Sequence, residues 1–134
     1  PDYDGGAYYL PTILAGVPNT ARICREEVFG PVLVVIPFDD EADVIAQAND
    51  NDYGLACGLW TRDFPRAMRV GRAIRAGTVW VNTYKQFSIS TPFGGDSASG
   101  MGREKGRDGM RAYMTQKSFY HDLTGRPHPW ARLT

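Results

Sequence analysis

Val32-Leu33-Val34-Val35-Ile36 is an unbroken apolar run, mostly β-branched, the pattern of a strand buried on both faces. Before it, Tyr8 to Leu14 is strand-like but interrupted by Pro11, which predicts an edge or irregular strand. After it, Asp39, Asp40, Glu41 and Asp43 head a helical stretch ending near Asn49. Acids in a first turn suit the positive end of a helix dipole. Val44, Ile45 and Ala48 share one face of that helix. Asn51-Asp52-Tyr53-Gly54 reads as a turn, and Ala56 to Trp60 as the next strand. Asp63 can cap the following helix, with Pro65 in its first turn. Phe64, Ala67, Met68, Gly71 and Ile74 fall on one helical stripe, and Gly77 is placed to stop it. Thr78 to Asn82 is a third strand.

Strand-helix-strand-helix-strand with short links predicts an α/β fold, a βαβαβ parallel sheet with right-handed crossovers. Tyr84 falls in the loop that follows. That loop runs from Thr83 to Gly102, and loops this long are usually functional or disordered. A short helix over Asp108 to Met114 and a last strand over Thr115 to His121 close the ordered part. Gly125 to Thr134 reads as a loose tail, so residues 1–123 form the folded unit and 124–134 a flexible extension.

The length of 134 residues suits one domain or one large piece of a domain, with roughly two-thirds of its unfolded surface buried. Formal net charge is zero, so nothing global favours nucleic acid or a membrane surface. No apolar run is long enough to span a bilayer, and no signal peptide is visible. The chain starts at Pro1, which reads as processing or a fragment. Cys24 and Cys57 read as free thiols in a reducing cytoplasm.

The chemistry concentrates in Glu26-Glu27-Val28-Phe29-Gly30-Pro31. A carboxylate can accept two ribose hydroxyls, and a Phe ring can lie against a planar heterocycle. Positions two apart point the same way when the segment is extended, and Pro31 biases Gly30 away from helix. Glu27 and Phe29 therefore read as an arm that holds a nucleoside. The bland alternative pairs Glu27 with Arg22 or Arg25 and buries Phe29. Cys24, between those two arginines, could have a lowered thiol pKa, but no base or oxyanion hole lies nearby in sequence. It reads as inert, and Cys57 as core. Arg66, Arg69, Arg72 and Arg75 recur every third residue, as an anion stripe or, more simply, a solvated face. Gly94-Gly95 and Gly100-x-Gly102 lack phosphate-loop spacing and read as glycines allowing φ > 0. His121 and His128 stand apart, with no metal spacing, and read as surface residues.

Five short motifs in order resemble the C-terminal part of the aldehyde dehydrogenase superfamily over about residues 6–123. They are Glu26 to Pro31, Asn51-Asp52-Tyr53-Gly54-Leu55, Gly77 to Asn82, Pro92-Phe93-Gly94-Gly95 and Ser99-Gly100-Met101-Gly102-Arg103-Glu104. The resemblance implies part of that family's catalytic domain and oxidation of an aldehyde to an acid with NAD or NADP. It implies that Glu27 holds the nicotinamide ribose and Phe29 packs near the nicotinamide. It further implies that Phe87 and Phe93 line the substrate tunnel, with Leu55 close to the same site. The family's nucleophile and general-base motifs are absent here, so no catalytic residue is assigned and the isolated chain is expected to be inactive. Ser97 stands where the family often has Lys. The last strand is expected to pair across a subunit interface, in a homo-oligomer or with the missing upstream portion. The alternative is a non-catalytic module that assembles with a full-length subunit.

Overall fold

The computed structural model describes residues 6–126. The elements are β1 (Thr12–Ala15), α1 (Arg22–Arg25), β2 (Val32–Val35), α2 (Glu41–Asn49), β3 (Ala56–Leu59), α3 (Phe64–Ala73), β4 (Thr78–Val81) and α4 (Gly106–Arg111). β1 and β2 run parallel, with Thr12 opposite Val32 and Ala15 opposite Val35. β3 and β4 also run parallel, with Ala56 opposite Thr78 and Leu59 opposite Val81. The fold is α/β with parallel strands, as the alternation of elements implies. The described strands nevertheless form two pairs, not one βαβαβ sheet.

The local reasons are visible. Pro11 lies just outside β1, where its missing N–H costs no ladder bond. The next N–H, that of Thr12, donates to the Pro31 carbonyl at 2.8 Å. α2 is tied to α3, although β2 and β3 lie in different sheets. Arg66 Nε and Arg69 Nη2 each donate to Glu41 Oε1 at 2.8 Å. Asn49 Nδ2 donates to the Ala73 carbonyl at 2.8 Å, while Asn49 Oδ1 accepts the Arg75 N–H at 2.7 Å. The arginine row is thus not merely a solvated face, because Arg66 and Arg69 join α3 to α2, and Arg75, just beyond α3, donates to the Asn49 carbonyl at the end of α2.

Both helix starts follow their sequence signals. Asp40 caps α2 by accepting the Asp43 N–H at 2.9 Å, and Asp63 caps α3 by accepting the Arg66 N–H at 3.0 Å. Gly77 does not stop α3, which ends at Ala73 with an extended Ile74 at its C-cap. Gly77 is needed for close approach: a Cβ there would lie 1.9 Å from the Gly94 carbonyl oxygen. A Cβ on Gly94 would lie 2.3 Å from the Gly102 carbonyl oxygen. Three backbone segments meet with no room for side chains, and Arg103 Nη1 staples two of them by donating to the Gly95 and Gly102 carbonyls at 2.6 and 2.7 Å. Gly100 and Gly102 do take positive φ, while Gly94 and Gly95 serve contact alone.

The expected burial is not reached. The chain exposes 11750 Å², against about 7000 Å² for a compact monomer of its mass. Among the described residues only Ala67, Val70 and Trp80 form a buried apolar core. β2 is covered on one face only: Leu33 and Val35 are exposed, as is Ile13 beside them on β1. α3 seats Ala67 and Val70, not the whole expected stripe, and leaves Phe64 and Met68 in solvent. Cys57 is half-buried, and burial pushes its thiol up, in keeping with an inert side chain.

Residues 115–121 form no strand, since the described residues offer them no partner to pair with. α4 starts at Gly106 and ends at Arg111, earlier than its sequence pattern suggested. Most of the expected loose tail, including His128, lies outside the described residues. Among the described residues no helix is long and apolar enough to cross a membrane, and no group of three or more His, Cys, Asp or Glu could hold a metal ion.

Candidate functional site

The Glu26–Pro31 segment leaves α1, a one-turn helix that carries no sequence signal strong enough to announce it. α1 disposes of both neighbouring arginines. Arg22 Nε donates to Glu26 Oε1 at 2.7 Å. Arg25 donates to the Asn19 carbonyl at 3.0 Å and forks onto both carboxylate oxygens of Asp50. That hydrogen bonding holds the Asp50 carboxyl below the usual carboxylate range. Glu27 is left without a hydrogen-bond or ion-pair partner among the described residues, so neither arginine neutralises it. It is exposed and available to a ligand's donors.

Three open grooves border Glu27, two of which reach beyond residues 22–28. One, of about 380 Å³, is lined by Glu27, Val28, Phe29 and Leu33 among others. The other, of about 500 Å³, brings Glu27 together with Cys24, Tyr53, Leu55 and Ser99. The segment is not the simple extended arm expected, because Phe29 has φ of 51°. A bulky residue with φ > 0 is a genuine outlier, costing on the order of 1–3 kcal/mol. The ring it presents is 94% exposed, not core. Strain and an undressed aromatic coincide at this residue, as they do where a backbone is shaped for a ligand.

Phe87 and Phe93 lie in a second cluster, built on Trp80 of β4. The Trp80 indole N–H donates to the Gln86 carbonyl at 2.8 Å and draws the loop onto the strand. Tyr84 and Phe87 meet Trp80 edge-on at 5.3 and 5.4 Å between centroids. Phe93 stacks on it at 6.5 Å and meets Phe87 edge-on at 5.0 Å. Such pairs add about 0.5–1.5 kcal/mol each beyond area burial. An open groove of about 340 Å³ runs along Trp80, Gln86, Phe87, Pro92 and Phe93. Leu55 is not in that lining, so the three residues assigned to one tunnel divide between two grooves.

Sequence reading missed Trp80 as the hub of this cluster and missed Lys105 altogether. The Lys105 ammonium stands 4.1 Å from the Phe87 ring centroid and 6.0 Å from that of Phe93. No local pattern joins these residues; an antiparallel bridge between Phe93 and Glu104 brings them together. Cys24 Sγ faces the Pro18 carbonyl at 3.6 Å, and no basic side chain is hydrogen-bonded to it among the described residues.

Comparison with known proteins was consistent across sequence and structure. The aldehyde dehydrogenase family model matches residues 1–119. A betaine aldehyde dehydrogenase from Mesorhizobium japonicum is 48% identical over 118 residues, covering 88% of this chain and 24% of that protein. A 2-aminomuconic 6-semialdehyde dehydrogenase from Pseudomonas sp is 47% identical over 121 residues, covering 90% and 23%. Among solved structures, a Mycobacterium tuberculosis aldehyde dehydrogenase complexed with NAD+ superposes with a TM-score of 0.76 at 48% identity, covering 80% of this chain and 22% of that one. An indole-3-acetaldehyde dehydrogenase from P. syringae in complex with NAD+ gives a TM-score of 0.80 at 46% identity, covering 84% and 23%. The chain spans about a quarter of the length of the relatives it matches.

Proposed function

The chain belongs to the aldehyde dehydrogenase family, and from that premise we propose that it supplies one wall of the active site of an NAD(P)-dependent enzyme oxidising an aldehyde to a carboxylic acid. The observation that carries this reading is Glu27, uncompensated by either neighbouring arginine and sharing a groove with the exposed ring of Phe29. These residues fit a nicotinamide nucleoside. The carboxylate can accept the ribose hydroxyls, and the ring offers a flat face to the heterocycle. When bound, NAD(P) supplies the hydride acceptor that aldehyde oxidation needs. Glu27 and Phe29 hold and orient it. Phe87 and Phe93 form an apolar wall for the aldehyde chain, and Leu55 borders the site from the other groove.

The nucleophile and general base come from a longer polypeptide or a partner, because among the described residues the Cys24 thiol is hydrogen-bonded only to the Pro18 carbonyl. The exposed face of Ile13, Leu33 and Val35 supports such an association. We assign residues 1–123 to this catalytic-domain piece and residues 115–121 to strand pairing in a homo-oligomer. Two free thiols support a reducing, cytoplasmic setting. A non-catalytic assembly module is the second reading, favoured by the Cys24 thiol being engaged by the Pro18 carbonyl.

The test joins this chain to the upstream portion of a family enzyme and follows aldehyde-dependent cofactor reduction. Glu27→Gln is expected to lower turnover by roughly 10- to 100-fold through misplaced cofactor. Turnover indifferent to Glu27→Gln and Phe29→Ala would remove the assignment. No turnover in any such joined protein would favour the assembly module.

A further inference from the structure

We propose that Lys105 sets the charge preference of the substrate wall. Its ammonium disposes the Phe87–Phe93 groove to aldehydes that carry a carboxylate and against those that carry a quaternary ammonium. The inference rests on the reading of Phe87 and Phe93 as tunnel wall and names the substrate class for it.

Three observations carry it. The first is occupancy of the aromatic faces. A cation over a ring is held by the ring's negative face, and an aromatic wall recognises quaternary ammonium groups by that same face. Lys105 Nζ already occupies that position over Phe87 at 4.1 Å. A substrate cation would find that face already filled and would meet a like charge a few ångströms from the Phe87 ring.

The second is uncompensated charge. Of the three lysines in the chain, two stand over rings of this one cluster, Lys105 over Phe87 and Lys85 over Tyr84 at 5.7 Å. All five ion pairs among the described residues use arginine, so neither lysine is neutralised by a carboxylate. The nearest acid in sequence, Glu104, is exposed and forms none of those pairs. A carboxylate arriving at the groove would supply the missing counter-charge, whereas an ammonium would add to the repulsion.

The third is placement. The Phe93 N–H donates to the Glu104 carbonyl at 2.8 Å, and the Glu104 N–H returns to the Phe93 carbonyl at 2.7 Å. On the other side the Gly106 N–H donates to the Ile89 carbonyl at 2.8 Å. Residue 105 is therefore clamped between two attachments to the loop that carries Phe87 and Phe93. Its backbone has φ of 63° and ψ of 174°, a region used almost only by glycine. Lys85 also has positive φ, at 54°. Both lysines over this cluster are held where the backbone alone would favour a smaller residue.

The experiment titrates the full chain with three small probes, butanoate, butanamide and tetramethylammonium, following the Trp80 indole N–H by NMR. Butanoate should bind about tenfold more tightly than butanamide, the size expected for one partly screened ammonium a few ångströms away. Tetramethylammonium should bind more weakly than butanamide. Lys105→Met and Lys105→Gly should both bring the butanoate-to-butanamide ratio close to one, the glycine variant doing so with a relaxed backbone. Lys105→Arg should restore it. A merely structural lysine would change all three affinities together and leave their ratios alone. Equal affinity for butanoate and butanamide in the wild-type chain, or an unchanged ratio in Lys105→Met, would overturn the proposal while leaving the tunnel reading intact. If no probe of any charge moved Trp80, the tunnel reading would fall and the charge preference with it.

Discussion

Gly77→Ala should be among the most damaging single-methyl substitutions in this chain, and Gly71→Ala, six residues earlier, should be stabilising. A Cβ at residue 77 would stand 1.9 Å from the Gly94 carbonyl oxygen, about 1.5 Å inside ordinary contact. The obstacle is backbone, clamped in turn by Arg103 on the Gly95 and Gly102 carbonyls, so it cannot swing aside as a flexible side chain would. Overpacking typically costs about 1–3 kcal/mol, and a rigid obstacle places this site at the upper end. The displaced segment also carries Phe93, so the aromatic cluster should loosen with it. At Gly71 the added Cβ would meet Val79 Cγ1 at 3.5 Å, ordinary van der Waals contact, inside α3. Replacing a helical glycine there should gain about 0.5–1 kcal/mol by restricting the unfolded chain. The two variants should therefore differ by about 3.5–4 kcal/mol, a large share of the stability of a small domain. Urea unfolding followed by tryptophan fluorescence measures it. A Gly77→Ala midpoint matching wild type, or Gly71→Ala falling as far as Gly77→Ala, would refute the assignment of Gly77 to backbone contact.

Other outcomes follow from the same geometry. Asp63→Ala removes the cap on the Arg66 N–H and should cost about 1 kcal/mol, with Asp63→Asn close to neutral; equal losses in both would point away from capping. Hydrogen bonds from Arg69 and Arg66 hold the Glu41 carboxyl below the usual carboxylate range. A depressed folded value means the contribution is complete above the unfolded value of about 4.3 and is lost as pH falls through the folded value. The stabilities of wild type and Glu41→Gln should therefore converge on acidification, and a gap independent of pH would contradict the pairing. The purified chain alone should not reduce NAD with any aldehyde; cofactor reduction that disappears in Cys24→Ala would show Cys24 to be a nucleophile after all.

Much of the local structure was legible because its causes are local. Asp63 and Pro65 announce the start of α3, and Asp40 that of α2, through groups within three residues of each other. The β-branched run marks β2 wherever its partner comes from. Glu27 could be singled out by type, but not freed of its alternatives. Only α1 and the fork of Arg25 onto Asp50, 25 residues away, leave it without a cation. Phe29 was legible as an aromatic but not as a strained one, since nothing in the local residue types announces a φ of 51° at a phenylalanine.

Sequence by itself thus determined the types and order of β2, α2, β3, α3 and β4, the parallel α/β class and the kinship, because caps, periodicity and motifs act over a few residues. Tertiary structure alone decided which strands pair, that Gly77 is a contact and not a helix stop, and that Phe87, Phe93 and Lys105 converge on Trp80. Each of those depends on the meeting of segments separated along the chain. Close approach, charge compensation and burial are properties of such meetings, and no residue carries them alone.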